Sequence, residues 1–184
     1  MKILFVGGGM GGTIAANNVA RRLGKEMRDG EVEITLLSAS EQHWYQPGLL
    51  YVAFGKMALT DIVREQASLL EPGIKFFVDP VEEFELNQSQ VRTKSGSIHS
   101  YDMLVIATGC EPAYDEIPGL LEASETPYTR DGAVEMFKKL RDFKGGKVAV
   151  TVGVPHKCPI APIEITFMLH EFFERRGIFF FTVV

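Results

Sequence analysis

Short apolar runs alternate with helical-period segments along this chain, a pattern that predicts an α/β protein. KILFV (2–6) reads as a buried strand and runs directly into GGGMGG. TIAANNVARRLG then carries small and apolar residues at helical spacing and ends near Gly24. EVEITLLS (31–38) alternates before turning apolar, as a second parallel strand does, and completes one β-turn-α-β unit. Residues 41–56, EQHWYQPGLLYVAFGK, are aromatic and irregular, and Pro47-Gly48 marks them as a loop. LTDIVREQASLLEPG (59–73) predicts a helix from its Thr-Asp start, apolar spacing and Pro-Gly stop.

GIKFFVDP is a further strand, and EEFELN, QVRTK and SIHSY, separated by NQSQ and SGS, predict a small antiparallel meander. YDMLVIATG (101–109) is again a largely apolar strand. The Pro-rich stretch CEPAYDEIPGLLEASETPYT is the best candidate for a boundary. After it, DGAVEMFKKLRDFKGG is an amphipathic helix, and KVAVTV, APIEITFMLHEFFERRG and IFFFTVV form a second β-turn-α-β unit. Those two units are the internal echo of the chain.

Composition narrows this picture. A net charge of −5 over 184 residues, with no Lys/Arg run, argues against a nucleic-acid partner. Two cysteines are too few for a disulfide framework, so reduced thiols are expected. Ile3–Val6, before the glycines, is too short for a signal-peptide core, and no apolar run reaches the length of a spanning helix.

Gly7, Gly9 and Gly12 satisfy G-x-G-x-x-G between a strand and a helix, with Met10 and Gly11 inside the motif. Glycines there let the backbone turn tightly and approach a pyrophosphate, which the helix N-terminus then receives. The acidic ribose partner expected at the end of the second strand is replaced by Ser38. A serine hydroxyl can hydrogen-bond a ribose but discriminates less than a carboxylate, which disfavours NAD more than a flavin nucleotide.

The second unit departs further. Its turn, GVPHKCPIAPIE (153–164), offers one glycine, Gly153, so it lacks a second phosphate cradle. Cys158 instead sits at the mouth of the predicted helix, beside His156 and Lys157. Helix N-termini and cationic neighbours favour the reactive thiolate. Pro159 or Pro162 suits the first helical turn. Glu164, early in that helix, is a candidate proton acceptor if buried, and otherwise an ordinary dipole-complementing acid. His156 reads as a solvated loop residue, Cys110 as a packed one, and Phe179 to Phe181 as core.

GGGMGG, the meander and the strand end ATG together resemble the FAD domain of flavoproteins with two dinucleotide-binding domains. ITLLSASEQHWYQPGLLYVAFGK, YDMLVIATG and VGVPHKCPIAPIEITFML carry the resemblance further, to sulfide:quinone oxidoreductases and flavocytochrome sulfide dehydrogenase flavoproteins. The resemblance implies a Rossmann-like FAD-binding domain with a small antiparallel meander at 1–115. A linker and the first β-α-β unit of a second, substrate domain follow at 116–184. It implies FAD contacts at Gln46 and Pro47, backbone pairing with adenine at Val81, and close passage of Ala107, Thr108 and Gly109 beside the flavin. In such enzymes sulfide is oxidised at a cysteine pair and electrons pass through FAD to quinone; Cys158 and Glu164 match one cysteine and its following carboxylate. The second cysteine has no counterpart here, and Tyr128 stands near where some members attach the flavin covalently, so a covalent bond from that position is not expected. The chain is thus expected to be the N-terminal portion of a longer, cytoplasmic homo-oligomer that reaches the inner face of a membrane only through a later region, with little turnover alone. The rival expectations are an NAD(P)H-dependent FAD oxidoreductase resembling type II NADH dehydrogenases, and a non-catalytic dinucleotide-binding module. The first should show a second glycine motif after KVAVTV. A CoA-disulfide-type reductase should show a cysteine in 41–56, and neither feature is present.

Overall fold

Strand β1, Lys2–Val6, alternates its side chains between two cores. Ile3 and Phe5 pack with Ala16, Ala20, Ile34 and Leu36 on one side. Leu4 and Val6 pack with Leu37 and Val91 on the other. Such two-sided burial makes a parallel strand wholly apolar, each side chain contributing about 1.5–3 kcal/mol. A computed structural model describes residues 1–153 and 157–183 of the chain. These divide into two compact units, 1–45 with 63–111 and 46–62 with 112–184.

The first unit is built on β1. Helix α1, Met10–Arg22, and the short α2, Gly24–Arg28, lead to β2, Glu33–Ser38. Strand β3, Gln42–Trp44, pairs antiparallel with β4, Val63–Glu65. Strand β5, Lys75–Val78, and β9, Met103–Ile106, complete a parallel sheet in the order β5-β2-β1-β9. Between them in sequence, β6 (Val81–Glu85), β7 (Gln90–Thr93) and β8 (Ile98–Ser100) form the expected antiparallel meander. Helix α1 covers one face of the sheet and the meander covers the other, through Val91, Val81 and Tyr101.

Two expectations fail here. The helix predicted over 59–73 is absent. Its place is taken by a 3-10 turn at Leu59–Ile62, strand β4 and a second 3-10 turn at Gln66–Leu69. Pairing with β3 recruits Val63–Glu65 into extended backbone, and Gln66 donates its N–H to the Glu41 carbonyl (2.8 Å). The supposed loop 41–56 contains β3 and also a helix, α3, Gly48–Ala53, with Pro47 as its N-cap.

In the second unit α3 buries Leu49, Leu50, Val52 and Ala53 and packs on α5, Arg130–Asp142, whose buried residues are Ala133, Met136 and Leu140. This contact draws 46–62 away from the division expected at 115/116. Thr129 caps α5 by accepting from the Gly132 N–H (3.0 Å). The linker region carries only a 3-10 turn, Tyr114–Glu116, and a four-residue helix α4, Leu120–Ala123. Strand β10 (Gly146–Ala149) and β11 (Phe180–Val183) pair in parallel around α6, Ala161–Glu174, the second β-turn-α-β unit. Phe172 and Phe173 of α6 stack edge-on with Phe54 and tilted with Phe143, respectively. Among the described residues, no helix is long and apolar enough to cross a membrane.

Candidate dinucleotide turn and cysteine turn

The glycine motif lies where β1 hands over to α1. Gly7 adopts φ +113° and donates its N–H to the Leu37 carbonyl (2.8 Å), and a Cβ there would collide with the Ala107 carbonyl oxygen. A Cβ on Gly12 would collide with the Gly7 carbonyl, and one on Gly8 with the Ser38 hydroxyl. These three glycines are required by the protein's own packing. Gly9 differs, since nothing lies within 4 Å of where its Cβ would stand, and Gly11 meets only the Ala107 methyl at 4.0 Å.

Gly9 is also the N-cap of α1, with no capping side chain and no acidic residue in the first turn. The first N–H groups of a helix have no intrahelical partners, and the helix dipole makes that end positive. Arg21 and Arg22 complement the opposite end. An open floor at Gly9 and an uncapped helix mouth therefore fit a pyrophosphate, and thus a dinucleotide such as FAD. Met10 and Ile14 are exposed at this end of α1.

The structure gathers Gly7, Gly9, Met10, Gly11, Gly12, Ala107 and Thr108 at one turn. Ala107 donates its N–H to the Val6 carbonyl (2.8 Å), so the end of β9 is hydrogen-bonded to β1 beside the glycines. Gly109 has φ +77° with open space about it, and Cys110 beyond it is exposed rather than packed. Ser38 departs from expectation. It is 7% exposed, donates its hydroxyl proton to the Ser40 carbonyl (2.8 Å) and fills the space under Gly8 instead of offering itself to a ribose. Val81 opens β6 and is half-buried against the meander core. Gln46 and Pro47 are exposed and belong to the second unit.

Sequence reasoning missed the polar group that supports this turn. Gln66, fully buried, donates from Nε2 to Thr13 Oγ1 (2.8 Å) and lies 2.9 Å by Oε1 from His43 Nδ1. Thr13 donates to the Gly8 carbonyl (3.2 Å), and His43 Nδ1 also stands 3.1 Å from that oxygen. Asn17 holds the same segment, donating to the Leu69 carbonyl (2.7 Å) and accepting from the Glu71 N–H (2.9 Å). The one available signal was the four-residue spacing of Thr13 and Asn17 on a small-residue helix.

In the second unit Cys158 is half-buried, three positions ahead of Ala161, the first residue of α6. Pro162 occupies the first turn, as anticipated, and Ile160 caps it without a side-chain hydrogen bond. Burial foremost, with Cys158 and Tyr114 as neighbours, raises the Tyr128 hydroxyl pKa above the ordinary tyrosine value. Tyr114 in turn hydrogen-bonds Thr126 Oγ1 (2.9 Å). Glu164 lies in the first turn of α6 and is exposed, so the burial wanted of a proton acceptor is not met within this unit. His156 lies outside the described residues, and Phe179 is exposed rather than core. No group of three or more metal-ligating side chains occurs among the described residues.

Comparison with known proteins agrees with this architecture. The mitochondrial sulfide:quinone oxidoreductase of Mus musculus is 32% identical over 182 residues, covering 96% of this chain and 39% of that protein. The X-ray structure of the Aquifex aeolicus sulfide:quinone oxidoreductase superposes with a TM-score of 0.81 at 27% identity, covering 98% of this chain and 43% of that one. An alternative NAD(P)H-ubiquinone oxidoreductase of Arabidopsis thaliana is 28% identical, over 96% of this chain and 37% of its own length. The chain thus spans about 40% of the length of the curated relatives it matches. The pyridine nucleotide-disulphide oxidoreductase family matches residues 1–177. With its glycine turn, two β-turn-α-β units and that match, the chain belongs to the pyridine nucleotide-disulphide oxidoreductase family of FAD-binding flavoproteins.

Proposed function

We propose that this chain serves an FAD-dependent sulfide:quinone oxidoreductase, with Cys158 as the sulfur-handling residue. The observation that carries the reading is the turn between β10 and α6. A cysteine stands there, close to a helix N-terminus and half-buried, where a nucleotide site would need glycines. The similarity to sulfide:quinone oxidoreductases of Mus musculus and Aquifex aeolicus supports the choice of sulfide and quinone.

FAD, when bound, supplies a two-electron acceptor that quinone re-oxidises. The chain's own contribution begins at the first turn, where Gly9 leaves room for the pyrophosphate and the α1 N-terminus offers N–H groups and positive potential. Cys158 supplies the nucleophilic sulfur. It stands just ahead of the positive end of α6 and directly follows Lys157.

The reading predicts one nucleotide site. Equilibrium dialysis of the FAD-loaded protein against NADH should give no stoichiometric binding, because Gly153 is the lone glycine of the second turn. Saturable binding of one NADH per chain would favour the NAD(P)H-dependent alternative and overturn the assignment.

A further inference from the structure

The buried amide of Gln66 makes Nδ1 of His43 a donor. The Gly8 carbonyl can only accept, so Thr13, 3.2 Å away, directs its hydroxyl proton there. The Thr13 oxygen then accepts from Gln66 Nε2 at 2.8 Å, which turns Gln66 Oε1 toward His43. His43 Nδ1 therefore faces two acceptors, Gln66 Oε1 at 2.9 Å and the Gly8 carbonyl at 3.1 Å. A lone pair on Nδ1 would oppose both, whereas an N–H satisfies both in a three-centre bond.

We infer that His43, held as its Nδ1–H tautomer by Gln66, is a positioning residue that fixes the Gly8 carbonyl and so aims the glycine turn at its dinucleotide. The inference deepens the FAD reading above and rests on it. The peptide at Gly8 is the hinge of the turn. Gly7 on one side is anchored to Leu37, and Gly9 on the other is the uncapped start of α1. With the Gly8 oxygen bound by both Thr13 and His43, that carbonyl cannot rotate outward, where its negative end would meet the phosphates. The strand pair β3–β4 delivers the device. His43 lies opposite Arg64 in the antiparallel register, and Gln66 follows directly after β4. A histidine on β3 thereby acts on a turn 35 positions away in sequence.

Two measurements test it. Long-range nitrogen–proton NMR of the imidazole in the apo-protein should show the Nδ1–H tautomer, with Nε2 as the unprotonated nitrogen. The Nε2–H tautomer would overturn the inference whether or not the chain retains FAD. Secondly, His43→Asn places an amide donor where Nδ1 stands, whereas His43→Gln places it one bond too far out, where Nε2 stands. FAD affinity, read by flavin fluorescence quenching, should fall about tenfold in His43→Gln and stay within about threefold of the parent in His43→Asn. Equal FAD affinities in parent, Asn and Gln proteins, with only melting temperature lowered, would show a purely structural residue and contradict the inference. Failure of the parent chain to bind FAD would count against the FAD reading, while the tautomer still decides the role of His43.

Discussion

Gly12→Ala should abolish FAD binding by breaking the fold of the turn, whereas Gly9→Ala should abolish it with the fold nearly intact. At Gly12 the added methyl overlaps the Gly7 carbonyl, which is backbone and cannot swing aside. Relief requires β1 and α1 to separate, at a cost of about 3 kcal/mol, a large share of a domain's stability. At Gly9 the methyl enters empty space, and the residue's φ of −73° suits alanine. The expected loss there is no more than about 1 kcal/mol, that of alanine at an N-cap. On the FAD reading, the space it fills is the space a pyrophosphate would take. Thermal melts of the two apo-proteins with FAD titrations separate the cases. A Gly9→Ala protein that binds FAD as well as the parent would place the dinucleotide elsewhere.

Cys158→Ser should remove sulfide chemistry while leaving the flavin in place. Serine is nearly isosteric, and the half-buried site ahead of α6 has room for it. Its hydroxyl, however, does not ionise near neutral pH and is a poor partner for sulfur–sulfur bond formation. Flavin reduction by sulfide should slow by on the order of a thousandfold or more, with bound FAD per chain unchanged. An unchanged rate would leave Cys158 a packing residue and move the sulfur chemistry to another site.

Much of the first unit was legible because burial on both sheet faces leaves an apolar signature. KILFV, EITLL and MLVI became β1, β2 and β9, and the polar breaks NQSQ and SGS marked the meander. The helix predicted over 59–73 failed for a tertiary reason, since its apolar spacing was outweighed by pairing of Val63–Glu65 with Gln42–Trp44 and by burial of Gln66. Nothing in the sequence marks Gln66 and His43 as partners, because they meet only after β3 and β4 pair. Ser38 was visible as the wrong residue for a ribose, but its packing under Gly8 needed coordinates. The glycines were legible as a motif, though not the division of labour within it. Gly7, Gly8 and Gly12 answer to the protein's own packing, while Gly9 faces open space.

Sulfide added anaerobically to the FAD-loaded protein, with NADH added to a parallel sample, tests the central claim most directly. Bleaching of the oxidised flavin spectrum by sulfide and not by NADH is the predicted result, and bleaching by NADH alone would contradict it.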